Sequence, residues 1–449
     1  MIRHKHLMAV MLYVVLLVVS KASAQLPATN THSFTLQEAV DYAKKNNTQV
    51  KNALLNLQIQ RQENRGITAA ALPSLSGNIG YTQYFNFPTQ VIPAGSFKDQ
   101  TVDDPVNFGL NYAASGGLQL QQLLFDGQVF VGLQARKASL DFQSKNVEVT
   151  EEAIKVNVEK VYYQLVVSKT QVKLLDANIA RLEKLEHDSK ELYKNGFAEK
   201  LDVDKVNVQL TNLKTQKISV LNSINIGYVG LKTLMGVPVK DEVQLTDTLS
   251  EAEIKDGILQ DAPYQYSDRK EFQYALLGKK LNEYNIKRYQ LSYLPTVALS
   301  GTYAKQAYRH EFNFFGKGDW YPASWVSLNI SVPLFDGFAK DAKVKQSKLE
   351  LQQTENNIDN LKLNIDAEVE QATLNFKSAI ATIDSQKKNM ELAEAVYNQT
   401  KKKYEVGTGS NTEINAAETD LVTAQTNYIN ALYNAIIAKV DYKKAIGKL

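Results

Sequence analysis

Two hydrophobic periods alternate along this chain. From Gly127 to Tyr193 and again from Gly337 to Tyr404, apolar residues recur at helical spacing on a charged, Gln/Asn-rich background. Val344, Leu351, Ile358, Ile365, Ala372 and Ala379 fall every seven residues, and a second stripe continues through Val369, Phe376, Ile383, Met390, Tyr397 and Tyr404. A sustained heptad predicts coiled-coil packing, and its sideways drift predicts a helix that changes neighbours along its length. Each helix has about 67 residues, roughly 100 Å at 1.5 Å per residue. Each then turns at a short glycine-containing segment and returns as a helix, Leu201 to Met235 and Thr412 to Ile446. Shorter helices, Thr35 to Ala71 and Ser267 to Leu291, precede the strands.

Between the helices the period drops to two. Phe108, Leu110, Tyr112, Ala114, Leu118 and Leu120 alternate with small or polar residues, as do Val326, Leu328, Ile330 and Val332. Leu75, Ile79 and Tyr81, and Val297, Leu299 and Tyr303, mark two further strands. The pattern predicts strands at about 73–85, 107–124, 296–308 and 325–334, each with one apolar and one small polar face. Such faces suit a barrel with lipid outside and water inside; a soluble hairpin packed on protein is the other reading. Four strands cannot close around an aqueous lumen, which takes about eight, so the barrel reading requires an oligomer. The connections, Asn86 to Val106 and Arg309 to Ala323, are turn-rich and predict long surface loops.

The two stretches repeat one another. Leu124-Phe125-Asp126-Gly127 returns as Leu334-Phe335-Asp336-Gly337, Tyr193-Lys194-Asn195-Gly196 is matched by Tyr404-Glu405-Val406-Gly407, and Leu72-Pro73-Ser74 by Leu294-Pro295-Thr296. Ordered matches in one frame, with one insertion near the first loop, point to a tandem duplication. The predicted division is a first repeat at 25–240, with its long hairpin at 127–236, a linker at 241–264, and a second repeat at 265–449, with its hairpin at 337–447.

At the N-terminus, Arg3 and Lys5, an apolar run from Leu7 to Val19 and Ala22-Ser23-Ala24 have the order of a secretory signal, cleaved after Ala24. The apolar run is too short to span a bilayer, which takes roughly 20 residues. Removing three of the 51 basic residues leaves 48 against 48 acidic ones. A formally neutral mature chain carries no nucleic-acid signature. No later stretch is apolar enough for a transmembrane helix, so entry into a membrane would be through strands. There is no cysteine for a disulfide or a lipid anchor, and the 23 tyrosines suit interfacial belts or long packed seams.

Catalytic chemistry is not indicated. His32, His187 and His310 are dispersed, which offers no transition-metal set. Gly407-Thr408-Gly409-Ser410 lacks the Gly-Lys-Ser/Thr ending of a phosphate loop and follows a helix. Asp103-Asp104 and Glu151-Glu152 read as solvated surface. No enzyme activity and no cofactor are expected, and energy for any transport must come from a partner.

The Leu-Pro entries, the Leu-Phe-Asp-Gly exits and the tip Tyr404-Glu405-Val406-Gly407-Thr408, in duplicate, resemble the TolC-type outer-membrane efflux protein family along nearly the whole mature chain. The resemblance implies a mainly α fold with β: helical hairpins forming a periplasmic α-barrel tunnel below a trimeric, twelve-stranded β-barrel in the outer membrane. It also implies a gated, passive exit duct for small toxic compounds or secreted substrates, working with a periplasmic adaptor and an inner-membrane pump. By position, Tyr404, Asp202 and Glu413 correspond to the family's periplasmic gate, and Gly196, Phe197, Gly407 and Thr408 to the adaptor-contacting tips. Gly409, Ala416 and Leu201 depart from the family's linking Arg, second ring acid and Thr, which predicts a weaker or differently wired closure than a salt-linked lock. A poreless periplasmic coiled-coil scaffold or adhesin is the competing reading.

Overall fold

The computed structural model describes residues 30–97, 99, 101–107, 109–248, 251–255, 264–316 and 318–449. The expected signal at 1–24, Phe108 of the second expected strand and part of the linker lie outside the described residues. In chain order the elements are β1 (Thr31–Phe34), α1 (Leu36–Asn46), α2 (Thr48–Ala69), β2 (Ser74–Gln83), β3 (Thr89–Ile92), β4 (Asp104–Asn107), β5 (Tyr112–Phe125), α3 (Gly127–Lys194) and α4 (Lys200–Met235). They continue with β6 (Glu242–Leu245), α5 (Glu251–Lys255), a 3-10 turn (Tyr266–Asp268), α6 (Lys270–Leu291), β7 (Thr296–Arg309), β8 (Tyr321–Ser331), α7 (Ala339–Glu405) and α8 (Asn411–Ala445).

The chain groups into two compact units. One comprises the described residues up to Lys51 with Thr150–Pro263 and Glu368–Leu449; the other comprises Asn52–Val149 and Tyr264–Ala367. Each unit takes pieces from both sequence repeats, so repeat and compact unit are different divisions of the chain.

Within the second unit, β2, β5, β7 and β8 form one antiparallel sheet in the order β2-β5-β7-β8, leaving β2 and β8 as edges. The register sorts the faces. Leu75 and Ile79 lie beside Leu120 and Gly116, Leu120 beside Gly301, Gly301 beside Val326, and Leu299 beside Leu328. The opposite face carries Ser76 beside Gln119, Gln121 beside Ser300, and Ser300 beside Ser327. The apolar face is uncovered within the chain: Ile79 is 94% exposed and Val326 75%. Gly117 admits the closest strand approach, because a Cβ there would stand 2.7 Å from the Tyr303 carbonyl oxygen. The β7–β8 loop lays Phe312 edge-on against Tyr81 at 5.4 Å, with Phe314 and Trp320 beside it.

Several expected boundaries are corrected. The helix expected over Thr35–Ala71 breaks at Asn47, whose backbone is extended (ψ 135°). Its side chain accepts from the Gln49 amide at 2.7 Å and donates to the Leu234 carbonyl at 2.7 Å, capping α2 while tying it to the end of α4. The helix expected from Ser267 likewise starts at Lys270, after the buried Arg269, which pairs with Glu271. The strand expected from 107 begins at Tyr112, since Asp104–Asn107 instead pairs with Thr89–Ile92 in a separate hairpin inside the expected loop. β8 starts earlier than expected, at Tyr321, because an edge strand tolerates Pro322. It ends at Ser331, before Pro333. The second long helix starts at Ala339 instead of Gly337, because Gly337 and Phe338 both adopt positive φ, 66° and 67°. In the first copy Asp126 caps directly, accepting from the Gln128 amide at 2.7 Å, and α3 begins at Gly127.

Among its described residues the first unit holds three apolar cores. One gathers β1, α1, α3, α4 and β6 around Tyr162, which is wholly buried. β1 and β6 pair in parallel, and the ring of His32 lies 3.2 Å from the Asp241 carboxylate. A second core packs Leu182 and Leu185 of α3, Val206 and Leu210 of α4, Tyr397 of α7, and Ile414 and Leu421 of α8. The third holds Ile254 of α5 against Ile383, Ile429, Leu432 and Ile436. Among the described residues no helix is long and apolar enough to cross a membrane.

Candidate functional site at the hairpin tips

The α3–α4 and α7–α8 reversals share one construction. Gly196 and Gly407 sit at φ 79° and 77°, a left-handed conformation that glycine adopts without steric cost. After each glycine the chain donates back over the helix end: Phe197 N–H to the Leu192 carbonyl at 2.8 Å, and Thr408 N–H to the Lys403 carbonyl at 2.9 Å. These bonds satisfy carbonyls that a helix C-terminus otherwise leaves open. Phe197 is then 81% exposed, at the outermost point of its turn.

The returning helices start differently. Ser410 caps α8 in a reciprocal box, its hydroxyl accepting from the Glu413 amide at 3.2 Å while the Glu413 carboxylate accepts from the Ser410 amide at 3.3 Å. Glu199 precedes α4 with no side-chain cap bond, and Asp202 in the first turn lies 3.8 Å from Lys205. Tyr404 packs against the core at the tips with its hydroxyl 3.5 Å from Ser189 of α3. Among the described residues no hydrogen bond or ion pair joins Tyr404, Asp202 and Glu413 to one another. The structure brings only Tyr404 across to the other hairpin.

Gly409 has its own steric reason. Its amide donates at 3.0 Å to the Lys403 carbonyl, and a Cβ there would stand 3.0 Å from the Tyr404 nitrogen. A long side chain at 409 would require the turn to shift. Leu201 and Ala416 line one groove between the starts of α4 and α8, together with Lys205, Gln209, Thr412 and Asn415.

Behind the tips lies a polar group that the sequence pattern did not single out. Glu418, 2% exposed, sits among Ile414, Ala417 and Leu421 and approaches the Nε of Arg181 at 3.4 Å. Burial pushes the Glu418 carboxyl above the ordinary carboxylate range, against the pull of Arg181. The Arg181 guanidinium also stands over the Tyr397 ring at 5.5 Å and donates to Asn178, whose amide donates to Gln425 at 3.0 Å. Burial, and then the Glu418 charge, push the Tyr397 hydroxyl up to about 12. The legible signal was a charged residue inside the apolar stripe of α8.

A second such group pins the linker. Glu251 of α5 accepts from Lys255 at 2.7 Å, Lys387 at 2.9 Å and Tyr428 at 3.1 Å, and Lys255 reaches Asp384 at 2.6 Å. The lysine bonds hold the Glu251 carboxyl down at about 2. Among the described residues no group of potential ligands could hold a metal ion.

Residues 267–448 match the family model described as outer membrane efflux protein. The chain is 21% identical over 423 residues to the outer membrane efflux protein BepC of Brucella suis biovar 1, covering 93% of this chain and 86% of that protein. It is 21% identical to the proteases secretion protein PrtF of Dickeya chrysanthemi, covering 94% and 90%. Its fold is that of the Vibrio cholerae outer membrane protein VceC (TM-score 0.72, 16% identity, 92% of this chain and 96% of that one). The Campylobacter jejuni CmeC outer membrane channel agrees as well (TM-score 0.74, 18% identity, 92% and 85%). Residues 267–448 thus match the outer membrane efflux protein family, and the relatives aligned along nearly all of the chain, like the mainly helical architecture with a small sheet, are similar to TolC-type outer membrane efflux proteins.

Proposed function

We propose that this chain is one protomer of a homotrimeric exit duct in the outer membrane, serving a tripartite efflux or type I secretion system. The observation that carries the reading is the open four-stranded sheet. It has two free edges, a bare apolar face and a small polar face, and it cannot close alone. Three copies supply twelve strands, whose apolar faces meet lipid and whose polar faces line water. The 68-residue and 67-residue helices, with their 36-residue and 35-residue partners, are the two tandem copies of a hairpin that continue the duct into the periplasm. Relatives named for efflux and for protease secretion support an export role of either kind.

In this reading the duct is passive, and an inner-membrane pump and periplasmic adaptor supply energy and continuity. The adaptor meets the tips at Gly196, Phe197, Gly407 and Thr408. Tyr404, Asp202 and Glu413 belong to the periplasmic closure, with Glu413 also serving as a helix cap. The mass and symmetry of detergent-extracted particles test the reading. Three-fold particles containing three chains are expected; monomers, or a protein that fractionates away from the outer membrane, would refute it.

A further inference from the structure

The residues at the tips are occupied locally. Glu413 closes a capping box, Asp202 faces Lys205, and a Cβ at Gly409 would press on the Tyr404 nitrogen at 3.0 Å. Besides Tyr404 on Ser189 and Gln209 on Asn415 and Thr419, a charged link between the hairpins lies deeper, where Arg181 and Asn178 of α3 meet Glu418 and Gln425 of α8. An ion pair in this seam is a poor way to add stability, because well-packed apolar side chains in its place are often as stable or more so. What a pair contributes that an apolar seam does not is a register. Apolar residues can slide past one another and stay buried, whereas a buried charge must keep its partner. The pairing is also incomplete. Oε2 of Glu418, Oδ1 of Asn415, Nδ2 of Asn411 and Oε1 of Gln209 are buried without a hydrogen-bond partner. Spare donors and acceptors beside the pair offer somewhere for it to go if α8 moves on α3.

We propose that Arg181 and Glu418 are the positioning pair that fixes the register of the second hairpin on the first, and with it the resting separation of the two tips. This rests on the duct reading above. Tyr397 backs the pair through the guanidinium, and Asn178 and Gln425 extend it along the same seam.

The test is single-channel recording of the purified full-length protein in planar bilayers. Glu418→Gln and Arg181→Met are each expected to raise open probability about ten-fold, the coupling of a contacting pair with one buried member. The exchange Arg181→Glu with Glu418→Arg is expected to restore the resting level. Arg181→Met with Glu418→Leu should keep the thermal stability of the wild type yet stay open, which a merely structural pair would not do. Wild-type openings in both single variants would overturn the proposal. Should the exchanged pair fail to fold, a cross-link decides. The chain has no cysteine, so Asn178→Cys with Gln425→Cys, in the Glu418→Gln background, gives one disulfide across the seam. Its oxidation is expected to return the channel to the resting level and reductant to release it; openings indifferent to a formed bridge would overturn the proposal. Wild-type protein that forms no channel in any condition is a different result, which overturns the duct reading itself.

Discussion

Replacing Tyr162 with Phe should loosen β1 and β6 with little disturbance of the surrounding core. The ring is wholly buried and Phe keeps its volume, so no cavity opens. The hydroxyl carries the effect. It donates within 3.0 Å of both the Phe34 carbonyl and the Asp247 carboxylate, and the Asp247 amide lies 3.4 Å from it. Neither acceptor is orphaned by the change, because Asp247 also takes the Leu36 amide at 2.7 Å and Phe34 takes the Thr246 amide at 3.2 Å. The loss is therefore nearer one charge-assisted bond than two, about 2 kcal/mol. Hydrogen exchange followed by mass spectrometry on peptides covering Thr31–Phe34 and Glu242–Leu245 reads this directly. About a thirty-fold acceleration is expected if these strands open as a local unit. Acceleration below about two-fold would refute the assignment of this hydroxyl as the tie between α3 and the strand pair.

Gly236 and Gly407 share nearly the same positive φ, 74° and 77°, but not the same surroundings. Gly407→Ala should cost only the backbone preference, about 1 kcal/mol, whereas at Gly236 a Cβ would also stand 2.6 Å from the Asn46 carbonyl oxygen. Gly236→Ala should thus lower the melting temperature clearly more, and equal losses would contradict this. For the trimeric duct proposed above, a bulky charged residue at Gly407, such as Lys, is expected to impair export while leaving the proposed trimer intact on native gels. Tyr404→Ala and Asp202→Ala are each expected to raise single-channel conductance, and unchanged conductance in both would remove them from the closure. The Glu251 carboxyl is held at about 2, below its ordinary value of 4.5. Its contribution to holding α5 is therefore complete above about pH 4.5 and lost as the pH falls through about 2. Because the side chain is 23% exposed, the discounted contribution is about 1 kcal/mol. Acid-dependent release of α5, read by limited proteolysis, should disappear in Glu251→Gln.

Heptads such as Val344 to Ala379 made the long helices legible, because burial of one helix face is written every few residues along the chain. The strands were legible for the same reason at period two. Their register was equally accessible in principle, since a one-residue slip would turn Leu75, Leu299 and Leu328 onto the polar face. The matched Leu-Phe-Asp-Gly segments were legible as repeats but not as caps: Asp126 starts a helix at once, while two left-handed residues delay α7 to Ala339. Dihedral choices of that kind turn on neighbours that a sequence string does not display. Asn47 shows the same limit, because its break in the first helix depends on an acceptor at Leu234, 187 residues away.

The tips divide most sharply along this line. The residue types there, Gly196, Gly407 and the Ser410-x-x-Glu413 box, determined a reversal and a helix start through short-range sterics and hydrogen bonds alone. That Tyr404 crosses to Ser189 while Asp202 does not, and that Arg181 meets Glu418 more than two hundred positions later, were decided only by the tertiary structure. Hydrophobic period is a local property and survives translation into sequence. The partner of a buried charge is a property of whichever helices are brought together, and it exists only once they are.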